Sequence, residues 1–167
     1  MADLDRAIER APRNDDVPLR LVRSSYRLQL QDFEGAREDL DRVVEGGDRA
    51  SETFHWRAMA RWRTGDRAGA ASDFAMAIER DPGSVGARFD RGGFRFESGD
   101  PAGALEDFDA ALAIEPRLWQ GWRARGRALA GLARREEAAQ SFDRALALCP
   151  SEARAEILSI REAELRR

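Results

Sequence analysis

An all-α solenoid of stacked helical hairpins is the fold class this sequence predicts, and three repeating series predict it. Large apolar residues stand at Leu40, Phe74, Phe108 and Phe142, each 34 residues after the last. Alanine keeps the same spacing at Ala36, Ala70, Ala104 and Ala138, and proline keeps it at Pro82, Pro116 and Pro150. A period of this length holds two helices and their turns, and a stack of such units presents a surface instead of enclosing a pocket. Holding another protein is the class of function that follows.

The period divides the chain into four full units, 17–50, 51–84, 85–118 and 119–152, within a single repeat domain over 1–167. In each unit a first helix of about 14 residues, roughly four turns, leads through a short turn to a second helix that ends near the proline. The turns read Gln31-Asp32, Gly65-Asp66 and Gly99-Asp100. Glycine accepts the left-handed conformation that ends one helix, and aspartate caps the next. Pro101 falls at the first helical position, where its missing N–H is no loss. Pro82, Pro116 and Pro150 then stop the second helices. The fourth turn, Ala133-Arg134, lacks both signals, so the helix start there is expected to be less sharply fixed.

The flanks are read from the same series. Leu4, Ala7 and Pro12 match Phe74, Ala77 and Pro82, so 1–14 is expected to be a second helix without its first. Asp15 and Asp16 are a two-residue insertion, which makes 1–16 a half repeat. The chain thus opens inside a repeat, as a fragment of a longer array or with that helix as a cap. Residues 153–167 are charged helix formers with a thin apolar stripe of Ile157, Ile160 and Leu165, the pattern of a polar closing helix.

Small residues recur on the first helix at Ser24, Ala58, Gly92 and Gly126. They let two helices approach closely, and the large residue of the second helix fills the groove. Val43, Ala77, Ala111 and Ala145 follow that large residue by one turn on the same face. The run Arg91-Gly92, Gly99-Asp100, Ala104, Asp107-Phe108-Asp109, Ala111 and Pro116 resembles the tetratricopeptide repeat. Trp119, Trp122, Gly126, Ala138, Phe142, Ala145 and Pro150 carry the same resemblance through the fourth unit. It implies a right-handed α-α superhelix whose first helices line a concave groove, used as a scaffold for many partners. Arg20 and Arg88 depart from the family, standing where it favours an aromatic. The first unit also ends in Gly46-Gly47-Asp48 with no proline.

Composition narrows the chemistry. All 28 basic residues are arginine, which removes every lysine-based mechanism, and His55 is the one histidine, which excludes an HExxH zinc site. Cys149 is the only cysteine, so neither an internal disulfide nor a thiolate metal site is expected. No catalytic residue, metal or cofactor is therefore expected, and His55 lacks any nucleophile-elbow motif to serve. Arginine in place of lysine, with abundant alanine and glycine, points to a GC-rich bacterial genome. The net charge of −3 gives no general affinity for nucleic acid. The chain has neither a membrane-length apolar run nor a signal-peptide start, so a soluble cytoplasmic protein without membrane insertion is expected.

The concave face that the resemblance implies carries Leu21, Ser25 and Leu28, then His55, Met59 and Trp62. It continues with Phe89, Gly93 and Phe96, then Arg123, Arg127 and Ala130. The candidate contact residues are His55, Met59, Trp62, Arg63, Phe89, Phe96, Arg123 and Arg127. A protein or peptide segment with an apolar anchor beside an acidic group fits them. For Trp62, Phe89 and Phe96 the competing role is packing between repeats. Arg23, Arg57 and Arg91 recur in register with Asp39, Asp73 and Asp107, which predicts pairing inside each hairpin and leaves the other arginines available to partners. The family's clamp for the chaperone C-terminal carboxylate uses Lys and Asn. This chain has no lysine, and its one asparagine, Asn14, lies outside any first helix, so Arg123 and Arg127 imitate only part of it. Self-association through an exposed repeat edge is the alternative function, and RNA binding a more distant third.

Overall fold

The computed structural model describes residues 2–10 and 16–166. Pro12, Asn14 and Asp15, on which part of the half-repeat expectation rests, lie outside the described residues. Ten α-helices follow in order: α1 Ala2–Arg10, α2 Val17–Gln29, α3 Phe33–Glu45, α4 Ser51–Thr64 and α5 Arg67–Arg80, then α6 Val85–Glu97, α7 Pro101–Ile114, α8 Trp119–Gly131, α9 Arg135–Leu148 and α10 Arg154–Arg166. A 3₁₀ turn, Ser151–Ala153, precedes α10. No strand occurs among the described residues.

The chain forms two compact units, one running to Pro82 and the other starting at Gly83. In the first, α2 pairs with α3 and α4 with α5, while α3 packs on α4 and α1 lies against α2. In the second, α6 pairs with α7 and α8 with α9, α7 packs on α8, and α10 covers parts of α8 and α9.

Each hairpin turn works by the same local chemistry. The residue before the capping position is left-handed every time: Gln31 at φ 60°, Gly65 at 90°, Gly99 at 84° and Ala133 at 59°. Asp32, Asp66 and Asp100 then accept the backbone N–H of Gly35, Gly69 and Gly103 at 3.0, 2.9 and 2.8 Å. The fourth turn has no capping side chain, as its sequence implies, yet it keeps the register of the others. α9 begins at Arg135, in register with Arg67 and Pro101 of the preceding hairpins. The backbone closes the turn without a capping side chain, because Arg134 N–H donates to the Leu129 carbonyl at 2.9 Å and Ala138 N–H to the Arg134 carbonyl at 3.0 Å. The Arg134 guanidinium also spans the first turn to the Glu137 carboxylate with two bonds of 2.7 Å.

The repeated apolar residues meet in the middle of each hairpin. Leu40, Phe74 and Phe142 are fully buried and Phe108 nearly so. Gly92 lies against the Phe108 ring and Gly126 against Phe142, so the small residue makes room for the large one. The second helices α5, α7 and α9 end two residues before Pro82, Pro116 and Pro150. Where α3 lacks a proline, Gly46 caps it and Gly47 turns away at φ 100°.

Candidate functional site

Charge is arranged first by the hairpins themselves. Arg57 donates from Nε and Nη2 to both oxygens of Asp73 at 2.8 and 2.7 Å. Arg91 meets Asp107 at 2.9 and 2.6 Å, and Arg23 meets Asp39 at 2.8 and 2.5 Å. All three carboxylates are buried, so the forked geometry offsets their desolvation. The hydrogen bond to Asp39, against the opposing effect of burial, holds the Arg23 guanidinium well above its ordinary range, with Asp5 adding to it. Burial works against the charge of Arg57, yet Asp73 and Asp41 together outweigh it and its pKa is raised.

A second arginine series escapes the reading of the sequence. Arg27, Arg61 and Arg95 stand one turn beyond the first series and reach the same carboxylates from Nη1, at 2.7, 2.9 and 3.1 Å. The i+4 spacing that marks them was present in the chain. Arg20 also meets Asp39 at 3.2 Å. Other pairs join successive hairpins within a unit: Arg57 and Arg61 reach back to Asp41 at 3.3 and 3.0 Å, and Arg125 to Asp109 at 2.6 Å. Arg20, Arg27, Arg61 and Arg125 are thus engaged inside the protein, which corrects the expectation that they remain available to partners. In the fourth hairpin Ser141 replaces the aspartate and accepts from Arg125 at 2.7 Å.

In the first unit, α4 carries His55, Met59, Trp62 and Arg63. The rings of His55 and Trp62 lie 6.2 and 6.4 Å from that of Phe74, so both pack against the buried core residue of their hairpin. Met59 is half-buried. Arg63 is exposed and stacks its guanidinium 4.9 Å from the Phe33 ring.

In the second unit, α6 and α8 flank a recess of about 130 Å³ whose lining includes Phe89, Gly93, Phe96, Phe108, Arg123 and Arg127. Phe108 forms part of the wall, with the Phe89 ring 5.8 Å from it. Phe89 and Phe96 are half-buried and pack against the core of this unit, so they serve as packing residues on one side and lining on the other. Gly93 occupies the repeat position that Met59 fills in the preceding hairpin. The recess opens at the position where that hairpin carries a side chain. Sequence reading placed Gly93 on this face without marking it as an opening.

The arginine pair frames one side. Arg127 lies 4.9 Å from the Phe96 ring and Arg123 5.5 Å from that of Trp119. Both also have carboxylates from α10: Arg123 Nη1 donates to Glu156 at 2.5 Å, and Arg127 Nε stands 3.6 Å from Glu164. Glu97 completes the rim. The structure therefore gathers Phe89, Phe96, Arg123 and Arg127 around one apolar recess, whereas His55, Met59, Trp62 and Arg63 share α4 in the other unit. Chemically the recess suits a single aliphatic side chain, with guanidinium donors at its edge for a polar or anionic neighbour.

Among the described residues no helix is long and apolar enough to cross a membrane. A family profile described as tetratricopeptide repeat matches residues 21–85, 56–117 and 95–153. No curated protein matches the chain by sequence. Among solved structures, MamA aligns at TM-score 0.79 and 20% identity over 92% of this chain and 87% of its own. YrrB, a TPR protein with an unusual peptide-binding site, aligns at 0.78 and 17% over 95% of this chain and 84% of its own. The first TPR of Spaghetti (RPAP3), bound to the HSP90 peptide SRMEEVD, aligns at 0.61 and 23% over 70% of this chain and 94% of its own.

Proposed function

This chain belongs to the tetratricopeptide-repeat family, and we propose that it is a non-catalytic interaction scaffold that takes a protein segment on the α6–α8 face of its second unit. The recess at Gly93 carries the proposal: a buried aromatic wall, an absent side chain and two guanidiniums at one rim make a socket for an apolar anchor with a polar neighbour. Phe89 and Phe96 hold the anchor, and Arg123 and Arg127 address the group beside it. His55, Met59, Trp62 and Arg63 are proposed contacts on the α4 face of their own unit. Peptide binding by YrrB and by the Spaghetti domain supports a peptide or protein partner. The repeats 17–50, 51–84, 85–118 and 119–152 are proposed to act as one array, since the family match at 56–117 runs through Pro82.

The test is Gly93→Met. It places in the recess the side chain that the preceding repeat already carries at this position, so folding is expected to survive. Pull-down from a lysate of the source organism should lose a partner that the unaltered protein retains. Equal capture by both proteins, each with the same melting temperature, would remove the recess from the interface.

One observation favours self-association as a second function. Val22 and Tyr26 on α2 and Leu30 at its C-cap form a stripe with exposures of 47, 50 and 69%. The residues at Tyr26's repeat position elsewhere, Ala60, Phe94 and Ala128, are buried at 0, 7 and 0%. A second copy covering α2 would make the mass in solution depend on concentration, and Tyr26→Glu would abolish that dependence. A constant monomer mass would end this proposal.

A further inference from the structure

Leu30 is the most exposed large apolar side chain among the described residues. It stands at the C-cap of α2, where its N–H donates to the Tyr26 carbonyl at 3.0 Å. The turn beyond it is fixed by the N–H groups of Gln31 and Asp32, which donate to the Leu28 and Arg27 carbonyls at 3.1 and 2.8 Å. The same repeat position in the next two hairpins carries Thr64 and Ser98, both polar and exposed. Leu30 is thus an apolar side chain held out on ordered backbone at a place where those hairpins suit water.

Its surroundings on that surface carry no charge. Val22 and Tyr26 precede it on the same face, and Gln29 and Gln31 flank it. Arg20, Arg23 and Arg27 are drawn away to Asp39, and Asp32 turns to accept from Gly35 at the start of α3.

The Gly93 recess has matching properties. Its volume of about 130 Å³ is close to the roughly 150 Å³ that truncation of a buried leucine opens in a core. The charges at its rim are matched from within the same unit, since Arg123 donates to Glu156 and Arg127 lies 3.6 Å from Glu164. An acidic neighbour of the anchor would meet these carboxylates and Glu97, and a basic one would meet the two guanidiniums. A glutamine amide both donates and accepts, so it pairs with either kind of group and leaves the existing ion pairs in place.

We infer that the recess takes Leu30 of a second copy of this chain, with the α2 stripe of that copy laid on the α6–α8 face. The inference rests on the reading of the Gly93 recess as the docking site, names its occupant, and gives the exposed stripe its cover. Plug and socket are different surfaces, so the contact is heterologous. A copy that donates Leu30 keeps an open recess of its own, and association runs on into chains or closes as a ring. Burial of the leucine and of the tyrosine beside it is the attraction, with the glutamines at the polar edge.

The experiment measures the mass of the full chain by sedimentation equilibrium between about 10 and 500 µM, which brackets the affinity of a small interface. The unaltered protein should rise above its monomer mass of 18.7 kDa. L30S removes the plug, placing there the residue that Ser98 supplies in a later hairpin, and G93M fills the socket. Each variant alone should stay monomeric, with the melting temperature of the unaltered protein. Mixed in equal amounts they should form a heterodimer and stop there, because the Leu30 of G93M enters the open recess of L30S and no second competent pair remains. Association that persists in G93M would overturn the inference in favour of the α2 stripe pairing with itself, and association that persists in L30S would remove Leu30 as the plug. Variants that remain monomers on mixing would overturn it as well, since Leu30 and Gly93 would then act in different contacts. A constant monomer mass for the unaltered protein would also overturn it, and the docking site itself would stand only if G93M still loses a partner in the pull-down.

Discussion

Asp73 receives both Nε and Nη2 of Arg57, and Nη1 of Arg61 arrives on the same carboxylate from one turn further along α4. Two helices are thereby joined at a group that is 3% exposed. Asp73→Ala removes the carboxylate and leaves two guanidiniums inside the hairpin, with Asp41 beside both and Asp66 3.6 Å from Arg61 Nε. We expect a loss of about 3 kcal/mol, the range found when one member of a buried pair is deleted. Urea unfolding measures it, and a loss below about 1 kcal/mol would reduce the pair to the standing of a surface contact.

Gly92 and Gly126 occupy the same place in successive hairpins, yet they should respond differently to alanine. A Cβ at Gly92 would stand 2.6 Å from the Phe108 ring, whereas one at Gly126 would stand 3.0 Å from Phe142. Alanine gains about 1 kcal/mol over glycine in a helix interior. Ala58 shows that a methyl can be accommodated at this position, since it and Phe74 are both fully buried. Gly126→Ala is expected to be nearly neutral, because a shift of a few tenths of an ångström relieves it. Gly92→Ala should lose about 1–2 kcal/mol through overpacking. Parallel thermal melts distinguish the two, and equal melting temperatures would contradict the difference in packing.

Ala133 holds a left-handed backbone at φ 59° where two other turns have glycine. For an L-residue with a Cβ this conformation is unfavourable by roughly 1–2 kcal/mol. Glycine relieves it but adds freedom to the unfolded chain worth about 0.4–1 kcal/mol. Ala133→Gly should therefore stabilise the protein by about 0.5–1 kcal/mol, seen as a higher midpoint in urea. A lower midpoint would show that the turn is not strained.

Glu137 supplies the pH dependence of α9. Its hydrogen bond from Arg134 holds its carboxyl below the ordinary 4.5. A lowered folded value means that the contribution is complete above the unfolded value and is lost as pH falls through the folded one. Glu137→Gln should speed hydrogen exchange at the start of α9 at pH 7, and the difference from the unaltered protein should vanish in acid, once the pH has fallen through the lowered folded value of Glu137. A difference that persists in acid would assign the effect to packing.

The hairpins were legible because the residues that build them repeat. The pairing of Arg91 with Asp107 is visible as a fixed offset of 16 residues in three hairpins, and the Phe108 series marks the core by itself. The repeat register placed Ala133 in the fourth turn, but its left-handed backbone was not legible, since alanine has no preference for that region and only the hairpin's closure puts it there. The arginine pair of the candidate site was visible on α8, but its carboxylates come from α10, whose sequence lacks the repeat pattern. The recess at Gly93 was hidden for a different reason. A void belongs to the side chains around it, and no single residue announces it.

Among the described residues, the number of guanidiniums served by each hairpin's buried acceptor declines along the chain. Asp39 receives Arg20, Arg23 and Arg27, Asp73 and Asp107 receive two each, and Ser141 receives Arg125 alone. Redundancy of this kind shelters the chain against mutation. Any one arginine on α2 can drift to another residue while Asp39 keeps a cation, so substitutions there accumulate as neutral variants. Arg125 has no deputy on Ser141, and the tolerance of the fourth hairpin to change is correspondingly narrower.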